Sequence, residues 1–237
     1  MSKDKIIVPL DVSTADEAVK LVELLKDFVG AFKVGLELVN NCGFEIFDRI
    51  KSAGAKKIFY DCKFHDIPNT VAGASKGAAK QEVWMFNVHA LGGLKMMKAA
   101  KEAAYETCDK FGIEKPLVIA VTILTSVDEE ILNNELKISG NVDNQVIHLA
   151  SLAKEAGLDG VVASPLEIKA IRKHIGDNFV IVTPGVRPVG SDIGDQKRIM
   201  SPSDAIAAGS DYLVIGRPII KAVNPALAAQ EIAMSIL

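Results

Sequence analysis

The feature that most constrains this chain is a repeat of short, β-rich apolar runs, each closing near a polar residue or a glycine. They are IIVPLD (6–11), AFKVGL (31–36), KIFYDCK (57–63), MFNVHA (85–90), PLVIAVTIL (116–124), GVVAS (160–164), FVIVTP (179–184) and YLVIGR (212–217). Between them lie stretches with apolar positions three or four apart, such as 13–28, 69–81, 93–106, 144–157 and 202–209, the pattern of amphipathic helices. Ser13 or Thr14 ahead of Asp16 and Glu17 marks a helix start, and Gly157 marks a stop. Strands that alternate with helices imply parallel βαβ units. Eight such units in 237 residues predict an α/β fold of the (β/α)8 TIM-barrel class, with one domain spanning 1–237. The alternative is an open doubly wound sheet. That fold more often shows fewer strands and a glycine-rich dinucleotide turn, and no G-x-G-x-x-G follows the first run. No Pro/Ser-rich linker or low-complexity tract divides the chain. The stretches with least helix or strand character, about 125–142 and 185–200, follow the fifth and seventh runs, where barrel enzymes carry substrate loops.

Composition narrows the function classes. A formal net charge of −3 argues against a nucleic-acid binder, so any phosphate must be held by a local site. The N-terminal apolar run ends at Asp11, too short for a signal-peptide core and far below a membrane span, which points to the cytoplasm. The three cysteines, Cys42, Cys62 and Cys108, lack metal-type spacing and suit packed, reduced thiols.

In a barrel, the strand C-termini converge on one face. That places Asp11, Lys33, Asp61, Lys63, His89, Thr125, Ser164, Arg187 and Arg217 around one mouth. Asp61 and Lys63 are two apart on a strand, so they share a face with Cα atoms roughly 6.6 Å apart. A lone ammonium at Lys33 inside AFKVGL would be costly, so a carboxylate such as Asp61 is expected to pair with it. Such a row could serve only to fix strand register. Apolar replacement of buried ion pairs is often neutral or better for stability, however, so retaining three charges favours chemistry.

Asp66 precedes Ile67 and Pro68 at a helix start, where a capping or dipole role is the ordinary reading. The loop TPGVRPVGSDIGDQKR (183–198), with Arg187 and Gln196, and Gly216–Arg217 after the eighth run suit a phosphate group. His89 alone is more often a packed residue than a catalytic one, and His65, His148 and His174 show no metal-ligand spacing. Met96 and Met97 read as core filler, and Trp84 has no aromatic partners of the kind that stack on nucleic acid.

Taken together, the run D-x-K-x-x-D-I-P-N-T at Asp61, Lys63, Asp66, Ile67, Pro68, Asn69 and Thr70 resembles the signature of the orotidine 5′-monophosphate decarboxylase family. The resemblance continues through VPLD with Asp11, FKVGLEL with Lys33, NVHA with His89, VTILTS with Thr125, TPGVRP with Arg187 and IGRPI with Arg217, in the order of the bacterial form. The D-x-K-x-x-D core is shared with hexulose phosphate synthases and ketogulonate phosphate decarboxylases, and the DIPNT and GVRP segments favour the nucleotide enzyme.

The resemblance implies decarboxylation of a nucleotide to UMP without cofactor or metal. Lys63 would stabilise and protonate the C6 carbanion, Asp61 would crowd the substrate carboxylate, and Lys33 would orient Asp61. Asp11 and Lys33 would meet the ribose, Ile67 and Thr125 the bound nucleotide, and Arg187, Gln196, Gly216 and Arg217 the phosphate. It further implies a homodimer in which Asp66 and Thr70 reach the other subunit's site. A Mg²⁺-dependent sugar-phosphate enzyme of the same barrel group and a non-catalytic phosphate-metabolite binder are the competing readings.

Overall fold

The computed structural model describes residues 2–188 and 200–236, and in it all eight apolar runs form strands. These are β1 Ile6–Pro9, β2 Ala31–Val34, β3 Ile58–Phe64, β4 Met85–His89, β5 Leu117–Val121, β6 Gly160–Val162, β7 Val180–Thr183 and β8 Tyr212–Val214. They pair in parallel in chain order, and β8 pairs with β1, which closes the barrel and rules out the open sheet. Closure leaves no unpaired strand edge.

The helices are α1 Ala15–Leu25, α2 Leu36–Cys42, α3 Glu45–Ser52, α4 Pro68–Lys80, α5 Gly93–Phe111, α6 Val142–Glu155, α7 Ile168–Ile175, α8 Pro202–Ala207, α9 Arg217–Ile220 and α10 Pro225–Ser235. Their ends follow local chemistry. Thr14 caps α1 by accepting the Glu17 N–H at 3.3 Å, and α4 opens on Pro68, whose missing N–H costs nothing in a first turn. The segment after β5 is not wholly irregular, since Ile131–Glu135 forms a short π-helical turn. Asn133 ties that turn to Gly140 in both directions, at 2.9 and 3.1 Å.

The core has two parts. Outward-facing strand residues such as Val8, Tyr60, Phe86 and Val161 pack against the apolar stripes of the helices. Inward-facing Ile7, Ala31, Phe59, Met85, Ile119 and Val182 fill the barrel itself. Met96 and Met97 are fully buried, as a filler role requires. Trp84 does find an aromatic partner, Tyr212, edge-on at 4.9 Å with Lys57 over the indole. Strand pairing brings these residues together at the N-terminal floor, which no local sequence pattern could show. Among the described residues no helix is long and apolar enough to cross a membrane.

Candidate active site

The apolar filling stops one layer below the strand C-termini, and charge replaces it. Lys33 on β2 reaches Asp11 Oδ1 at 3.1 Å and Asp61 Oδ2 at 3.3 Å. Asp61 Oδ1 in turn accepts Lys63 Nζ at 2.7 Å. The expected Lys33–Asp61–Lys63 row is present, and Asp11 extends it to four alternating charges. Gly35 leaves room for it, because a Cβ there would stand 2.9 Å from Lys33 Nζ.

Burial and pairing oppose each other within the row. Burial would lower the Lys33 pKa, but the Asp61 and Asp11 carboxylates outweigh it and hold the ammonium above its ordinary range. At Asp61, burial pushes the carboxyl up. Lys33 and Lys63, with hydrogen bonds from Lys63 and Asn87, overcome that effect and keep it below the carboxylate range. Cys62 points away from the row, and burial raises its thiol to about 12, which suits an inert packing residue.

The strand carrying the row is irregular where it matters. Tyr60 pairs with Phe86 but Phe64 pairs with Val88, so the β3–β4 register slips, and Lys63 sits at φ 49°. Inward and outward alternation survives the slip: Phe59, Asp61 and Lys63 serve the interior while Tyr60 and Phe64 pack outward, edge to face at 5.9 Å.

Asn87, an inward position on β4, bonds both Asp61 and the Lys63 backbone. The sequence reading assigned it no role, although a polar residue in step with Met85 on an apolar strand was the available signal. His89, two residues on, is half-buried with its ring 5.5 Å from that of His65. Burial, then the neighbouring His65 and Lys63, lower its pKa.

Two contiguous cavities open above this layer. One, about 200 Å³, is lined by Lys33, Asp61, Lys63 and Thr125, with Phe59, Val121, Ile123, Val162 and Val214 as apolar walls. The other, about 410 Å³, is lined by Asp11, Lys33, Arg187, Gly216 and Arg217. A flat apolar group with a few polar substituents fits the first, and an anion suits the cationic end of the second. Gly216 has a packing reason as well as a binding one, since a Cβ there would meet Pro9 Cγ at 2.9 Å.

Asp66 and Thr70 do not join the cavity. The whole segment from Asp66 to Thr70 is exposed, and Asp66 Oδ1 accepts the N–H of the next residue, Ile67, at 2.6 Å. Ile67, not Asp66, precedes the first residue of α4, so the expected capping role is reduced to that local turn. Gln196 lies outside the described residues. Among the described residues no group of three or more His, Cys, Asp or Glu side chains is placed to hold a metal ion.

Comparison with known proteins agrees with this geometry. The chain is 52% identical over 235 residues to the orotidine 5′-phosphate decarboxylase of Moorella thermoacetica, covering 99% of this chain and 93% of that protein. It superposes on the crystal structure of the Lactobacillus acidophilus orotidine 5′-phosphate decarboxylase with a TM-score of 0.86 at 38% identity, covering 98% of each chain. The corresponding Pyrococcus horikoshii structure gives 0.77 at 26% identity, again over 98% of each. A family model matches residues 4–232, and with these similarities it shows that the chain belongs to the orotidine 5′-phosphate decarboxylase / HUMPS family.

Proposed function

We propose that residues 1–237 act as one catalytic domain that decarboxylates orotidine 5′-monophosphate to UMP, the last step of UMP synthesis, without a cofactor. The observation that carries this reading is the Lys33–Asp61–Lys63 row, closed at one edge by Asp11 and facing a cavity that joins an apolar slot to a cationic end. Curated relatives at about half identity over almost the whole chain carry the same activity in their names.

Breaking the C6–CO₂ bond leaves its electron pair in an sp² orbital in the plane of the ring, where the π system cannot accept it. The charge must be stabilised by fixed neighbouring groups. Lys63 supplies a cation beside C6. As CO₂ departs, its Nζ–H delivers a proton to the carbon, the C6–H bond forms, and the amine recovers a proton from solvent. Asp61, locked between two ammoniums, lies where the substrate carboxylate arrives and disfavours the bound ground state. Lys33 fixes Asp61 and, with Asp11, meets the ribose. Thr125 faces the pyrimidine from the apolar slot, while Arg187, Gly216 and Arg217, with Gln196, hold the phosphate. Binding energy from that remote phosphate can be spent on the chemical step.

The reading includes a homodimer. Leu36 at the start of α2, Ile67 just before α4 and Leu91 in the turn after β4 are exposed by 52%, 67% and 41%, an apolar rim that follows three adjacent strands. A second subunit covering that rim would bring Asp66 and Thr70 of the partner subunit to this site, which accounts for their exposure here. Mixing two inactive variants, Lys63→Ala and Asp66→Ala, then regenerates turnover, because a hybrid dimer keeps one intact site. No regain would refute the shared site. The cytoplasm suits the three free thiols.

The decisive experiment follows orotidine 5′-monophosphate absorbance with purified protein in EDTA, beside Lys63→Ala. Rapid loss in EDTA, lowered at least about 10⁴-fold in the variant while UMP still binds, is the expected result. Activity that appears only on adding Mg²⁺ with a sugar phosphate would favour the lyase reading, and UMP binding without any turnover would favour a binding protein.

A further inference from the structure

Asn87 has no exposed surface, and it lies inside the barrel beside the charged row. Its Nδ2 donates to Asp61 Oδ1 at 2.7 Å, the same oxygen that accepts Lys63 Nζ at 2.7 Å. Its Oδ1 accepts the backbone N–H of Lys63, also at 2.7 Å. One amide therefore grips Lys63 at both ends, directly through the backbone and indirectly through the carboxylate that holds its ammonium. The backbone carbonyl of Asn87 accepts the Cys62 thiol at 3.1 Å, which fixes the strand beneath the amide.

The backbone explains why such a grip is needed. Between Tyr60 and Phe64, four steps along β3 span the two steps from Phe86 to Val88 on β4. Lys63 lies in that slip at φ 49°, a left-handed conformation that strains a residue with a side chain and persists only when its surroundings impose it. The Asn87 side chain supplies the acceptor for the Lys63 N–H within the slip. Asparagine suits the task because a donor and an acceptor must project together from one short planar group. Leucine has neither, and aspartate lacks the donor and adds a charge against Asp61.

We propose that Asn87 is a positioning residue for decarboxylation: it holds Lys63 in the left-handed backbone conformation and aims Asp61 Oδ1 at the Lys63 ammonium before substrate arrives. This rests on the decarboxylase reading above.

The test uses the full chain and two variants, Asn87→Leu and the near-isosteric Asn87→Asp. Turnover of orotidine 5′-monophosphate is measured across pH, and UMP binding by calorimetry. Asn87→Leu is expected to lower kcat on the order of 10²-fold to 10³-fold while UMP affinity changes by less than about threefold, since only the reacting end is disturbed. In Asn87→Asp, two carboxylates share one site, so one of them titrates well above the usual range. Its protonated form restores an O–H donor to Asp61. The ratio of variant to wild-type kcat should therefore rise as pH falls and drop as pH rises, a signature that lost packing would not produce.

A wild-type-like kcat in Asn87→Leu, or a ratio independent of pH in Asn87→Asp, overturns the proposal. Should Asn87→Leu fail to fold, the pH ratio of Asn87→Asp decides alone. Absence of turnover in the wild-type chain refutes the decarboxylase reading and this role with it, whereas wild-type turnover left unchanged by both variants refutes this role only.

Discussion

The barrel pairs opposite charges at both of its ends, and the two ends use them differently. At the N-terminal floor, Arg172 on α7 bonds Asp211 at 2.6 Å and donates to the carbonyls of Gly176, Asp177, Phe179 and Gly209. Asp211 also accepts the N–H of Ile181 at 2.7 Å. Asp159 repeats the device, pairing with Lys101 and accepting the N–H of Val118 at 2.7 Å. Each floor carboxylate sits at the start of one strand and clips the backbone of its neighbour. Each ion pair there is also tied to fixed backbone groups.

At the mouth, charge is met mainly by charge. The four-residue row faces a cavity, Lys63 keeps 29% of its side chain exposed, and the backbone contributes little beyond the Lys63–Asn87 bond. Ion pairs saturated by backbone stabilise register, whereas ion pairs that confront one another across an open cavity hold charge ready for a ligand.

Substitutions at the two ends should separate activity from stability. The largest effect is expected from Lys33→Met at the mouth, with a loss of kcat/KM on the order of 10³-fold or more and only a small change in Tm, because Asp61 retains Lys63. A large Tm loss with little kinetic change would make the mouth row structural and erase the contrast.

Next, Arg217→Ala should weaken turnover of the phosphorylated substrate by roughly 10²-fold while sparing a substrate truncated to the nucleoside. Equal losses on both would remove Arg217 from the phosphate site.

At the floor, Arg172→Met should cost about 2–3 kcal/mol in denaturant unfolding, since it strands Asp211 and several carbonyls, with kcat unchanged at permissive temperature. A kinetic defect in folded protein would show that the floor communicates with the mouth.

The smallest effect concerns pH. His89, facing His65, Lys63 and Asp61, has a lowered pKa when folded, so the unfolded chain binds its proton first, near the ordinary value of 6.5. Stability is therefore expected to fall as pH drops below about 6.5, ahead of the carboxylate range, and His89→Gln should flatten that part of the Tm profile. An unchanged slope would exclude His89 as its source.

Much of this arrangement was legible in the residues. The strands are legible because fully buried parallel strands must be continuous apolar runs. The Lys33–Asp61 pair is legible because an isolated buried charge is untenable. The pairing of Asp11 with Lys33 is not legible, since β1 and β2 are brought into register only by the ladder that sets Pro9 against Lys33. Asn87 stands in the sequence only as a polar residue within its motif. Its meaning depends on a register slip, and a slip is a relation between two strands that neither strand's pattern announces. The Trp84–Tyr212 contact crosses the barrel between strands that do not pair, so local pattern does not announce it either.

The sequence by itself determined the alternation of strands and helices, the shared face of Asp61 and Lys63, and the set of charges gathered at the strand ends. All of these follow from local periodicity and the cost of burying charge. Only the tertiary structure decided that the barrel closes between β1 and β8, that Lys63 adopts a left-handed backbone, and that one buried amide joins it to Asp61. Those features depend on distances between residues far apart in the chain, which are set when the strands pair.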